Sequence, residues 1–472
     1  MTARHLTVFA ALLCWAAAAN SEESPETPLA KSLALAYWDE SRFAAFEDRA
    51  PLSVDERRET ERLVAQLANF DRRVFYASPG TPVTTRELLV SPEKYRGKPV
   101  RWQGTATQVI EPTREMREIT DVQPALTCLA HDEGSECMIL THSLPERWQT
   151  FALDAEPIAV DAVFVKLVET EGGDIVPLLA SPHVEWLPDA WRPPEVNYGM
   201  SALGILGFDV SLLDSVVHRA PLVPSETAAF YHLMSNLDDT PANELVHWAQ
   251  RQLPRYRDAW KESGQQGDDK HRRLVREVLR RADEGQYSVA PFFNAPSDQV
   301  GELVVFDGVV RRALRIDTTR DLDATAAGID HYYELALFTS DSQNNPIMFC
   351  VLDLPKGMTE GDNIRQPVRI AGFFFKNWRY SGQSTDGSGD EKLRFAPLFI
   401  GRGPLRLVDP PTQPIWGWIA GLGFIAVILM LWLLGWRRSR GDRAFAASTL
   451  ARVKEPVEPI DLDDAQLPGE SE

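Results

Sequence analysis

The chain has 472 residues, a formal net charge of −19, 44% apolar and 25% charged side chains. That balance belongs to globular protein and excludes wholesale disorder, a collagen-like chain and a polytopic membrane protein; the acidity argues against a nucleic-acid partner. Four cysteines are too few for a disulfide scaffold.

The N-terminus reads as a secretory signal peptide over residues 1–19. Arg4 and His5 precede the apolar run Leu6 to Trp15, and Ala17 and Ala19 supply the small residues for cleavage after Ala19. Cys14 leaves with it, and Leu13 before that cysteine is wrong for a lipoprotein signal.

A first domain is expected over residues 38–188. Ser53 and Glu56 spell a capping box after Pro51, and Leu63, Val64, Leu67 and Phe70 form one apolar stripe of a helix. Five strand-like runs follow, at about Val100–Ile110, Ala125–Ala130, Cys137–His142, Pro157–Val168 and Asp174–Leu187. Ser91 and Lys94 satisfy S-x-x-K, but Pro92 makes the motif a turn and no companion motif follows. Cys128 and Cys137 fall on neighbouring strands, which makes them a disulfide candidate outside the cytoplasm.

A second domain is expected over residues 209–407. Ser225 is the expected cap of a helix with Phe230, Leu233, Met234 and Leu237 on its stripe. An insertion over about Thr240–Gln286 reads as two helices broken near Pro254 and Gly264–Gly267. Between Arg251 and Arg281 it carries ten Lys/Arg against five Asp/Glu, a local reversal of charge suited to anionic head groups or an acidic partner. Strands are expected at about Leu303–Ile316, His331–Ser340, Ile347–Leu352, Gln366–Trp378 and Leu393–Leu407. Cys350 has no counterpart in the first domain and reads as a core residue. Asp386, Ser388 and Asp390 alternate like a calcium loop, but Glu391 and Pro397 stand where glycine and glutamate are needed. The histidines show no metal spacing, so neither a metal nor another cofactor is expected.

Ile415 to Trp436 holds 22 residues and no charge, enough to cross a bilayer, with Trp416, Trp418, Trp432 and Trp436 toward its ends. Arg437, Arg438, Arg440 and Arg443 follow, which directs residues 437–472 to the cytoplasm.

The two domains share an ordered series of matches. Arg49-Ala50-Pro51-Leu52 recurs as Arg219-Ala220-Pro221-Leu222. Gly104 matches Gly308, Leu144-Pro145 matches Leu354-Pro355, and Pro157, Phe164 and Lys166 match Pro367, Phe374 and Lys376. The spacing grows only in steps, as loop insertions in a duplicated domain produce. The expected fold is therefore α+β, mainly β: two copies of a helix plus a five-stranded barrel, then one transmembrane helix. Five strands, a glycine-bent first strand and an insertion after the third resemble an OB-fold barrel. Over its whole length the chain resembles the signal-plus-anchor envelope proteins of planctomycete-type bacteria, a likeness that brings no known activity.

No catalytic motif is found, so the expectation is a single-pass inner-membrane protein that binds or scaffolds, with an envelope protein or glycan as partner. The candidate binding face is the aromatic and basic set Tyr332, Tyr333, Lys376, Trp378 and Tyr380, with Phe373, Phe375 and Arg379 on or beside the same strands; such faces stack sugars. That set makes a binder of envelope glycan or oligosaccharide the alternative reading, with an enzyme of unrecognised type behind it.

Overall fold

The computed structural model describes residues 27–70, 74–75, 80–113, 121–149, 153–191, 196–265, 268–382, 392–407 and 420–437. The chain divides into two units, Met1–Leu407 and Val408–Glu472. The expected signal peptide, the acidic loop around Asp386 and the tail beyond Arg437 lie outside the described residues.

The first unit opens with helices α1 (Pro28–Leu35), α2 (Glu40–Phe43) and α3 (Val54–Asn69). Ser53 and Glu56 close the expected capping box on α3. Then come β1 (Thr81–Val83), α4 (Thr85–Val90), α5 (Pro92–Tyr95), β2 (Pro99–Ile110), β3 (Leu126–Asp132), β4 (Ser135–Ser143), β5 (Glu156–Glu169), β6 (Ile175–His183) and β7 (Glu185–Trp186). Strands β2, β3, β4, β6 and β5 pair in that order, and β5 pairs back onto β2, closing a five-stranded barrel. All pairings in the ring are antiparallel except β4 with β6.

Strand β2 closes the ring by serving two neighbours in turn: β5 along Pro99–Ala106 and β3 along Thr105–Ile110. Gly104 stands at that handover. A Cβ there would lie 2.2 Å from the Trp102 ring and 2.5 Å from the His131 carbonyl, so the bend needs glycine. Trp102, Ile139, Ile158, Val160, Phe164 and Leu179 fill the interior. On the outer wall Leu140, Val163, Val165, Leu178 and Ala180 receive Leu63, Val64 and Leu67 of α3. Those three helix residues are fully buried, and each contributes roughly 1.5–3 kcal/mol.

The remainder of the unit holds α6 (Tyr198–Ile205), a 3-10 turn (Val210–Ser215), α7 (Thr227–Asn236), α8 (Ala242–Ser263), α9 (Asp269–Asp283), α10 (Ala290–Asn294), β8 (Leu303–Asp317), α11 (Leu322–Ala326), β9 (His331–Phe338), β10 (Ile347–Val351), β11 (Gln366–Gly382), β12 (Lys392–Gly401) and β13 (Leu405–Arg406). The second sheet runs β12-β10-β9-β8-β11-β13, with β11 also pairing β12. Each of the ten expected strands has its counterpart. The last expected run of each half is divided in two, at Val184 and at residues 402–404.

Two local expectations are corrected. Pro254 lies inside α8 and does not break it. It is exposed there, so the carbonyl it leaves unpaired meets water. The helix pair is separated only after Ser263. Ser225 does not cap α7: the cap position is Glu226, whose carboxylate is drawn inward to accept the Val217 N–H at 3.0 Å and the Val223 N–H at 2.9 Å.

One hydrophobic cluster runs without interruption from the first barrel through α6 and α7 into the second sheet. Helix α6 approaches the entrance to β8 so closely that a Cβ on Gly199 would lie 1.9 Å from the Gly301 carbonyl oxygen. In the second unit, Ala420–Arg437 is an 18-residue helix of mean hydropathy 1.8. At 1.5 Å per residue it is about 27 Å long, enough to cross a membrane's hydrocarbon core.

Candidate functional site

A cleft of about 360 Å³ opens in the folded unit. Its walls are the C-terminal end of α3 (Leu67, Phe70), the ends of β4 and β6 (His142, His183), and the turn carrying Leu212 and Asp214. Its floor is charged. Strand β5 alternates, so Val160 and Ala162 point into the barrel while Asp161 between them points out.

Register explains the cluster around Asp161. Arg101 of β2 stands directly opposite Asp161, and Glu185 of β7 stands opposite Ala159, two residues away on the same face. The Arg101 guanidinium is thereby forked between two carboxylates, at 2.8 Å from Asp161 and 2.7 Å from Glu185. Burial, with the nearby Glu185 charge, pushes the Asp161 carboxyl up to about 6, against the pull of Arg101. One Asp161 oxygen has no hydrogen-bond partner.

A second layer stands behind it. The His183 Nε2 lies 3.3 Å from Asp209. The other Asp209 oxygen accepts the Trp186 N–H at 3.0 Å, the Ser211 N–H at 3.0 Å and the Ser211 hydroxyl at 2.5 Å. Asp209 thus ties the 3-10 turn to β7 and fixes the cleft wall. Asp214 accepts the Glu146 N–H at 2.9 Å, and burial raises its carboxyl as well. The Glu185 and Asp209 charges also act on His232 of α7, whose imidazole is pulled down by burial. With Asp161, Glu185, Asp214 and Glu146 around it, Arg101 shared between two of these acids and Arg147 3.8 Å from Asp214, the acids outnumber the arginines, and the cleft offers an acidic floor under apolar walls. Such a space suits a cation carried on an apolar stem.

The candidate face on β9 and β11 is dispersed instead of assembled. Tyr332 is buried, its ring 5.6 Å from Phe230 of α7. Phe373 and Phe375 are fully buried. Lys376 is fully buried too: its ammonium donates to the Pro221 carbonyl at 3.0 Å and pairs with Glu226. Trp378 is half-buried and packs against the core, and Tyr333 is half-buried against His331 at 5.6 Å. The side chain of Tyr380 lies outside the described residues. The physical reason is that β11 is covered on both faces, by the sheet interior and by helices α7, α8 and α10, so strand alternation leaves no free aromatic side.

The cysteine expectation is corrected as well. Cys128 stands opposite Ile139 and Cys137 opposite Ala130, so the two cysteines are diagonal neighbours and not a facing pair. Diagonal positions are ~7–8 Å apart, beyond ordinary disulfide reach. Both are buried free thiols, as is Cys350.

The sequence reading passed over Asp161, Glu185 and Asp209. A signal was there: Asp161 is the lone acid within the apolar run from Ile158 to Val165, and a charge in a buried strand calls for a partner.

No family model and no curated protein sequence matches the chain. Among solved structures, an aspartyl-tRNA synthetase from Leishmania major Friedlin aligns with 9% identity and a TM-score of 0.17, covering 55% of this chain. The chain spans about half, 47%, of that protein's length.

Proposed function

We propose that this chain is an extracytoplasmic binding protein of the cell envelope, held to the inner membrane by the helix Ala420–Arg437 and built from two copies of one helix-plus-barrel domain. The observation that carries the binding reading is the 360 Å³ cleft, in which carboxylates, His183 and apolar side chains converge. Its chemistry favours a Lys or Arg side chain of an envelope protein as ligand. No catalytic residue, metal or cofactor is assigned.

The two-copy reading is supported by equivalent details. Arg49 and Arg219 share a positive φ of 58°. Their N–H groups donate to Leu167 at 2.9 Å and to Asn377 at 2.6 Å. Lys166 and Lys376 each follow a register shift and reach Glu56 and Glu226. Gly97 and Gly301 both have positive φ, and both donate, at 2.8 Å, to the phenylalanine before the shift. The barrel whose five strands order as an OB-like ring fits the same reading, as does a signal peptide over residues 1–19.

The test is fluorescence anisotropy of labelled Lys- and Arg-containing peptides on full-length protein in non-ionic micelles, beside Glu185→Gln/Asp214→Asn. Binding that the double variant abolishes supports the reading. No binding, or binding indifferent to the variant, sinks it. Binding of neutral oligosaccharides alone would move the assignment to the glycan alternative.

A further inference from the structure

We propose that the α8–α9 hairpin is a docking surface for anionic lipid head groups, which orients the folded unit on the bilayer that anchors it. The inference rests on the anchored reading above.

Helix α9 is strongly two-sided. Val275, Val278 and Ala282 are buried, while Lys270, Arg272, Arg273, Arg276 and Arg280 are exposed. Part of the basic charge is neutralised within the hairpin: Arg257 pairs with Asp283 at 2.8 Å, Arg272 with Asp269 at 2.7 Å, and Arg280 with Glu277 and Glu284, both at 2.6 Å. Six exposed cations remain without an ion pair among the described residues: Arg251, Arg255 and Lys261 on α8, and Lys270, Arg273 and Arg276 on α9. Asp258, Glu262, Asp268 and Asp269 are exposed among them, yet over residues 251–281 ten Lys/Arg outnumber five Asp/Glu, a local excess of positive charge on a chain of net charge −19.

That contrast selects the partner. An anionic surface repels the chain as a whole and attracts this locally basic segment, so approach and orientation are coupled. The anionic surface within reach is the lipid one. Residues 408–419, twelve in number, connect Leu407 to Ala420, and fully extended they span at most ~43 Å. A tether that short holds the folded unit beside the head groups at high effective concentration, where weak electrostatic contacts suffice.

The experiment uses the full chain in nanodiscs of phosphatidylcholine alone or with phosphatidylglycerol added, and lysine acetylation read by mass spectrometry. Lys261 and Lys270 report on the face; the exposed Lys94 and Lys356, distant in sequence, are controls. Docking should slow acetylation of Lys261 and Lys270 at least about fivefold in anionic discs, leave the controls unchanged, and vanish at high salt, where the Debye length shrinks to ~3 Å. Arg251→Gln/Arg255→Gln/Arg273→Gln/Arg276→Gln should lose the protection while folding normally, because all four side chains are exposed. Equal labelling in both discs overturns the proposal. So does protection that appears in native membranes but not in anionic discs, which would assign the face to an acidic protein. A chain that fails to enter discs at all refutes the anchor itself, a result distinct from entering them and labelling equally.

Discussion

Replacing Lys376 by methionine tests whether the buried ion pair beneath α7 holds the fold. Lys376 and Glu226 are both fully buried. Met fills the space of the lysine stem but leaves the Glu226 carboxylate with only the Val217 and Val223 N–H groups as partners. Stranding one charge of a buried pair costs about 3–5 kcal/mol. The five-stranded barrel supplies an internal reference. Lys166 is equally buried, yet its partner Glu56 retains 15% exposure and accepts from the Glu47 N–H and from Ser53 as well. Lys166→Met should therefore cost less, about 1.5–2.5 kcal/mol. Urea unfolding of the full chain in micelles, followed by tryptophan fluorescence, measures both. Adding Glu226→Gln to Lys376→Met should recover part of the loss, since no charge is then stranded. A cost below about 1 kcal/mol for Lys376→Met, or a double variant as unstable as the sum of its parts, would refute the reasoning.

Three further outcomes are expected. Asp161 ionises near pH 6, so a cationic peptide should bind the cleft about tenfold more tightly at pH 7 than at pH 5, and Asp161→Asn should flatten that profile. Burial pushes the Glu302 carboxyl up to about 8 from its ordinary 4.5; the folded form keeps a proton the unfolded chain releases, so stability should fall by roughly 1–3 kcal/mol between pH 4.5 and 8. Glu302→Gln should remove that slope in a series of Tm measurements. Iodoacetamide should leave Cys128, Cys137 and Cys350 untouched in the native protein and modify all three in urea; a bonded pair would instead resist labelling until reduced.

Strand positions were legible because each run is apolar and β-branched and is bounded by Gly, Pro, Asp or Asn, signals that act locally. The capping box of α3 was legible for the same reason. What stayed hidden depends on partners far along the chain. Glu226 would read as a first-turn residue of α7 until Lys376, 150 positions away, claims its carboxylate. Tyr332 and Lys376 read as surface because nothing local says that α7 and the sheet interior enclose β11 from both sides. Asp161, Arg101 and Glu185 meet only through the register of three strands.

The contact between Gly199 and Gly301 has a bearing on separability. Two backbones meet there with no side chain between them, so neither can shift without opening the shared interior. A chain severed between residues 188 and 209 would leave each fragment with an unhealed apolar wound. The two parts are therefore not separable: heat or urea should melt residues 27–407 in one step, and neither part expressed alone should persist as a soluble monomer.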